Sequence, residues 1–185
     1  MADQNPRSIA ESRSSVVRLM VPTDANFAGN VFGGAILADI DRVAYVTATR
    51  HARANCVTAS FDRVDFLRPV HVGQVVEYDA RLTFVGHSSM EVAIEARAES
   101  LTGERPYPVV HAWVTMVAVD RDGRPTAVPP LEVTTEDDRA EFERGRARMA
   151  ARRTARSALS APSSVPVAAP ASRSAPPPRR SKHAV

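Results

Sequence analysis

The strongest constraint on the fold is an abrupt change of hydrophobic period near residue 52. From Ala35 to about His51 the apolar residues recur at helical spacing. Ile36, Ile40 and Val43 fall on one stripe, and Leu37, Ala44 and Ala48 on the next. Two adjacent stripes make one broad apolar face, as in a helix laid against a large core. After it the period becomes two. Asn55 to Phe66 is β-branched and aromatic, and Pro69 ends it. In Val75–Val85, Val76, Tyr78, Ala80, Leu82 and Phe84 alternate with Glu77, Asp79, Arg81 and Thr83. In Glu91–Glu99, Val92, Ile94, Ala96 and Ala98 lie opposite Glu91, Glu95, Arg97 and Glu99. Val109–Val119 is apolar on nearly both faces, as a central strand should be, and Asp122-Gly123 marks a turn. With a short strand at Ser15–Val21 ahead of the helix, helix and strands are segregated. The order predicts an α+β fold, a mainly antiparallel sheet around one long helix.

The flanks read differently. Residues 1–14 look like a flexible arm ahead of a domain over 15–130. Thr134-Thr135-Glu136-Asp137-Asp138 opens a second helix with hydroxyl caps and acids at its positive end, giving a helical extension over 131–156. Residues 157–185 are Ala, Pro, Ser and basic side chains, too poor in large apolar groups to offset ordering entropy, and are expected to be a disordered basic tail. From Arg144 onward there are ten Lys and Arg and no Asp or Glu, so the net charge of +3 averages an acidic domain and a basic end. The basic balance therefore does not argue for a nucleic-acid partner.

Composition closes off other classes. Cys56 is the single cysteine, so no intrachain disulfide and no cysteine metal cluster can form. No window approaches the ~18 apolar residues of a membrane helix, and Met1–Ser15 lacks the apolar run of a secretory signal, which points to the cytoplasm. His51, His71, His87 and His111 show no ligand spacing, so no metal is expected and a Ser/His/Asp triad has little support. Cys56 and Trp113 read as core residues.

On the helical wheel Asp41 falls inside the apolar face. There desolvation raises a carboxyl's pKa, and an acid is costly without a partner or a purpose. A satisfied structural acid, a subunit contact and a functional group all fit. Asp39 falls on the opposite stripe beside Arg42 and Arg50, where it is expected to be solvated and to pair with Arg42 at i,i+3. Gly33-Gly34 before the helix is either a tight turn or a place where free N–H groups meet a developing oxyanion. Asn26, in the loop that feeds this turn, is either an Asx turn or a catalytic amide.

The stretch Pro22-Thr-Asp-Ala-Asn-Phe-Ala-Gly-Asn-Val-Phe-Gly-Gly-Ala-Ile-Leu, with Asp41 beyond it, resembles the hotdog-fold acyl-CoA thioesterases. Val57-Thr-Ala-Ser, Val64-Asp-Phe-Leu-Arg-Pro, Ser88-Ser-Met-Glu-Val and Asp120-Arg-Asp-Gly-Arg-Pro are similar to that family in order and spacing. The likeness covers roughly residues 15–150. It implies a hotdog domain that hydrolyses acyl-CoA to free CoA and a carboxylic acid, with coenzyme A as part of the substrate and no cofactor. Asp41 would be general base or nucleophile, and Asn26 would orient water or polarise the thioester carbonyl. The Gly34 N–H would hold the oxyanion, and Gly33, Arg68, Ser88 and Ser89 would contact substrate. In double-hotdog relatives the acid and the Asn come from different halves. A single hotdog therefore implies a dimer, or a trimer of dimers, with each site shared by two subunits. Phe32 stands where some relatives carry His.

Two other readings stay open. Hotdog hydratases and dehydratases pair Asp with His in D-x-x-x-x-H, but Val46 follows Asp41 and Ala44 follows Asp39 at that spacing. A non-catalytic acyl-CoA-binding regulator would keep the pocket without turnover. The thioesterase reading makes Asp41 essential and Asp39 dispensable.

Overall fold

The computed structural model describes residues 5–103 and 105–160. A short strand β1 (Arg7–Ser8) and one helical turn α1 (Ile9–Ser12) precede β2 (Ser14–Leu19). A 3-10 turn at Pro22–Asp24 leads to the long helix α2 (Gly33–Ala52). Four long strands follow: β3 (Asn55–Phe66), β4 (Gln74–Val85), β5 (Ser89–Ser100) and β6 (Tyr107–Val119). A short β7 (Leu131–Glu132) and the helix α3 (Glu136–Ser160) complete the described residues. The main sheet has the order β2-β4-β5-β6-β3, with every neighbouring pair antiparallel. Among the described residues the one parallel pairing is the small β1–β7 ladder.

The alternation placed the core correctly. Ile36, Ile40, Val43, Ala44 and Ala48 of α2 bury against Val76, Tyr78, Ala80 and Leu82 of β4 and against Val92, Ile94, Ala96 and Ala98 of β5. One departure lies where β4 and β5 shift register between Leu82 and Phe84. Such an irregularity re-aims side chains. Phe84 pairs with Glu91 on the outer face, its ring 5.0 Å from that of Phe142 in α3.

α3 explains why β6 is apolar on both faces, because the helix lies across the outer side of the sheet. Glu91 is fully buried beneath it, accepting from Arg148 Nη2 at 2.7 Å and from Thr83 Oγ1 at 2.6 Å. The Arg148 guanidinium also stands 5.5 Å over the Trp113 ring. Close approach requires Gly145, where an added Cβ would lie 2.8 Å from Phe84 Cβ. The expected cap is present: the Asp138 N–H donates to Thr135 Oγ1 at 3.0 Å.

Two boundaries differ from the sequence reading. α3 continues through residues 157–160, expected in the tail, because the run containing Ala150, Ala151 and Ala155 favours helix. Residues 161–185, the rest of that expected tail, lie outside the described residues. The arm expected to be flexible is docked from its first described residues. Arg7 is buried and its Nη1 donates to the carbonyls of His51 (2.8 Å) and Arg50 (3.3 Å) at the end of α2. A cation there satisfies carbonyls that the helix leaves unpaired. Ser12, also buried, meets His51 Nδ1 at 2.9 Å. The His51 Nε2–H donates to the Pro129 carbonyl at 2.8 Å, and in the neutral ring Nδ1 accepts the Ser12 hydroxyl. Burial lowers the His51 pKa, in keeping with that state. No helix among the described residues is long and apolar enough to cross a membrane.

Candidate active site

Asn26 sits in a loop closed on itself. Its N–H donates to the Asn30 carbonyl at 2.7 Å, and Gly29, at φ +81°, donates back to the Asn26 carbonyl at 3.0 Å. The Asn26 side-chain oxygen accepts the N–H groups of Ala28 (2.9 Å) and Asn30 (3.2 Å). The Asx-turn reading is therefore correct as local structure, and it has a chemical consequence. With Oδ1 occupied, Asn26 has only its Nδ2 hydrogens to offer a ligand.

The loop delivers the chain to α2 through Phe32, the N-cap residue, whose N–H donates to the Asp24 carbonyl at 2.7 Å. Gly33 and Gly34 open the helix, and among the described residues no backbone acceptor outside the helix meets their N–H groups. Gly34 is exposed. The start of α2 thus presents free donors beside an amide that can only donate, the geometry wanted around a developing oxyanion.

Asp41 lies seven residues further along α2. It is half-buried in the single chain, and Thr58 Oγ1 donates to its Oδ1 at 2.5 Å. Thr58, on β3, was not picked out from sequence, where it reads as one β-branched residue in a strand. It becomes visible once α2 is laid on that strand. Seven residues of helix rise about 10 Å. Asp41 and Gly34 of one chain therefore cannot both touch one carbonyl.

Asp39 is not the solvated residue the wheel suggests. It is 5% exposed and held by Arg18 Nη1 at 2.5 Å, Arg42 Nη1 at 2.7 Å and Tyr78 Oη at 3.2 Å. The Arg42 pairing is as expected. The wheel gives a direction but not what stands there, and β2 and β4 cover that side. Burial first, then Asp39, raises the Tyr78 pKa, so its hydroxyl stays a donor.

The expected substrate contacts are spread out. Arg68 is exposed, its guanidinium 5.5 Å over the Tyr107 ring. Ser88 precedes β5 and Ser89 opens it, and the Ser88 carbonyl accepts the Ala118 N–H at 2.9 Å. Ser89 lines a cavity of about 400 Å³ together with Ser60, Met149, Arg152 and Arg153. That cavity is on the outer face of the sheet, whereas Asp41 is on the inner one. One chain does not bring Ser89 to Asp41.

Among the described residues no strand lies beside the outer edge of β3, and around it Tyr45, Val46, Val57, Phe61 and Phe66 are exposed. An edge of this kind is usually covered.

A long helix wrapped by a five-stranded antiparallel sheet, with donors at its N-terminus and a carboxylate midway, defines a hotdog domain. Residues 28–103 match the family model described as Thioesterase superfamily. The chain is 37% identical over 139 residues to the uncharacterized acyl-CoA thioester hydrolase YkhA of Bacillus subtilis, covering 75% of this chain and 80% of that one. It is 34% identical over 145 residues to the cytosolic acyl coenzyme A thioester hydrolase of Rattus norvegicus, covering 77% of this chain but 38% of that one. Among solved structures, an apo-hexameric acyl-CoA thioesterase superposes with TM-score 0.78 at 37% identity, covering 84% of this chain and 99% of its own. The Staphylococcus aureus acyl-CoA hydrolase with butyryl coenzyme A superposes with TM-score 0.76 at 33% identity, covering 83% and 93%. That hydrolase has also been solved with an aspartate, an asparagine or a threonine replaced by alanine. The chain belongs to the thioesterase superfamily, among proteins named acyl-CoA thioester hydrolases.

Proposed function

We propose that this protein hydrolyses acyl-CoA thioesters at sites each shared by two subunits, Asp41 coming from one and Asn26 with Gly34 from the other. The observation that carries the shared site is the separation along α2. A carbonyl carbon under attack needs its base or nucleophile about 3 Å away and its oxyanion donors at similar range. One helix sets these groups about 10 Å apart. Two copies joined along antiparallel β3 edges by a two-fold axis perpendicular to the sheet run their α2 helices in opposite senses. The helix start of one copy then meets the middle of the other's. The same pairing covers the exposed β3 edge. The hexameric relative supports assembly of such dimers into a trimer of dimers. The rat relative's name supports a cytoplasmic setting.

In this site Asp41 either takes a proton from attacking water or attacks the thioester itself. Thr58 holds Oδ1, leaving Oδ2 for the reaction. The Asn26 amide and the Gly34 N–H donate to the carbonyl oxygen as it gains charge. The C–S bond then breaks, and CoA leaves as the thiolate and is protonated. Where water attacked, the acyl group departs directly as the carboxylate; where Asp41 attacked, it stays on Asp41 as a mixed anhydride until water cleaves it to the carboxylate. The residue types match those substituted in the S. aureus hydrolase: an aspartate, an asparagine and a threonine. Gly33 allows close approach, and we assign Arg68, Ser88 and Ser89 to the CoA moiety. The chemistry calls for no cofactor.

The test is a steady-state survey of acyl-CoA chain lengths with detection of free thiol. Thiol release from at least one chain length, lost in Asp41→Asn, is expected. Binding without turnover across the series would contradict the proposal in favour of a non-catalytic binder.

A further inference from the structure

Arg18 stands at a junction that the chemistry above leaves unused. It points from β2 toward the core side, 31% exposed, and its guanidinium grips two carboxylates at once. Nη1 donates to Asp39 Oδ2 at 2.5 Å and Nη2 donates to Asp24 Oδ1 at 2.6 Å. Both acids are largely enclosed, at 7% and 9% side-chain exposure. They belong to different parts of the site. Asp39 is on α2, two residues before Asp41. Asp24 ends the 3-10 turn that opens the Asn26 loop.

Asp24 also builds that loop. Its Oδ2 accepts the Val21 N–H at 3.0 Å, and its carbonyl accepts the N–H of Phe32, the residue that caps α2. The Val21 N–H and then Arg18 hold the Asp24 carboxyl below the usual range, so it stays ionised. Asn26 follows two residues later. A displacement of Asp24 is therefore passed to the Asn26 amide on one side and to the Gly33–Gly34 start on the other.

We infer that Arg18 is a positioning residue for the hydrolysis: its fork fixes the Asn26 loop and the free N–H of Gly34 relative to the body of α2. The inference rests on the thioesterase reading. Donors to an oxyanion act only when held in place beforehand, and a shift of about 1 Å can cost on the order of a hundredfold in rate. The guanidinium spans both acids because it is planar and forked. A lysine ammonium is a point charge and serves one of them.

The experiment measures kcat and KM of Arg18→Lys and Arg18→Ala on the acyl-CoA that the wild type turns over best, with thermal unfolding and assembly size for each. Arg18→Lys should stay folded in the same assembly, with kcat down about tenfold or more and KM within about threefold. Guanidinium at low millimolar concentration should raise the kcat of Arg18→Ala. A folded Arg18→Lys with normal kcat overturns the inference. So does a kcat loss no larger than the loss of folded protein, or a failure of both variants to fold, since each assigns Arg18 to stability alone. A wild type inactive on every acyl-CoA contradicts the parent proposal instead, and shows before any variant is compared.

Discussion

Thr58 on β3 donates its hydroxyl to Asp41 on α2 at 2.5 Å, so the carboxylate is aimed by a strand that also forms the open edge of the sheet. A hydrogen bond to a charged group contributes about 1.5–3 kcal/mol, or roughly ten- to a hundredfold when it holds the reacting geometry. Thr58→Ala should lower kcat by about that factor, and Thr58→Ser should recover most of it. Steady-state kinetics on the two variants checks this; equal losses in both would show that the methyl, not the hydroxyl, matters.

Asp39 and Asp41 should fail in different ways. Asp39→Asn weakens its hold on Arg18 and Arg42. Removing one partner of a buried ion pair costs about 3–5 kcal/mol, and less here because Arg42 is 71% exposed. A loss of about 2–3 kcal/mol is expected by denaturant unfolding. Asp41→Asn should leave stability nearly unchanged and remove turnover. A stability loss in Asp39→Asn under about 0.5 kcal/mol would match a surface residue and contradict the buried cluster.

The Glu91–Arg148 pair gives a third outcome. Arg148→Ala strands a fully buried carboxylate beneath α3 and should cost about 3 kcal/mol or more. The double variant Glu91→Gln/Arg148→Met should be more stable than Arg148→Ala, because no charge is left unpaired. Unfolding free energies of the two, compared directly, decide it; a double variant no more stable than Arg148→Ala would contradict the stranded charge.

Acid should weaken the fold through His51. Its folded pKa lies below the unfolded value near 6.5, so the unfolded chain binds a proton first as pH falls. His51 therefore costs nothing above about pH 6.5 and destabilises increasingly below it, down to its folded pKa. Carboxyls held low in the fold, such as Asp79 through Arg13, contribute only nearer pH 4. Stability measured from pH 7.5 to 5 should fall in the wild type, and His51→Gln should flatten that slope. An unchanged slope would rule out His51 as its source.

Much of the architecture was legible because burial writes a period. The wheel of α2 and the alternation of Val92, Ile94, Ala96 and Ala98 predicted which faces meet. Asn26, Gly34 and Asp41 stood out by residue type and by likeness to a family. What escaped depends on distant partners. The fate of Asp39 rests on Arg18, in another strand. The N-terminal arm is pinned by Arg7 and Ser12 to His51, contacts that leave no local pattern. Thr58 acquires meaning only when α2 crosses β3, and Phe84 changes face through a register shift that no composition announces.

The shared site is tested most directly by subunit complementation. Asn26→Ala and Asp41→Asn assemblies should each be nearly inactive. After co-refolding with random exchange, about half the dimers are mixed, and each mixed dimer carries one doubly defective site and one intact site. By counting, and treating the two sites as independent, the mixture should recover about a quarter of wild-type activity. No recovery, with subunit exchange verified, would show that Asn26 and Asp41 act within one chain and would contradict the account.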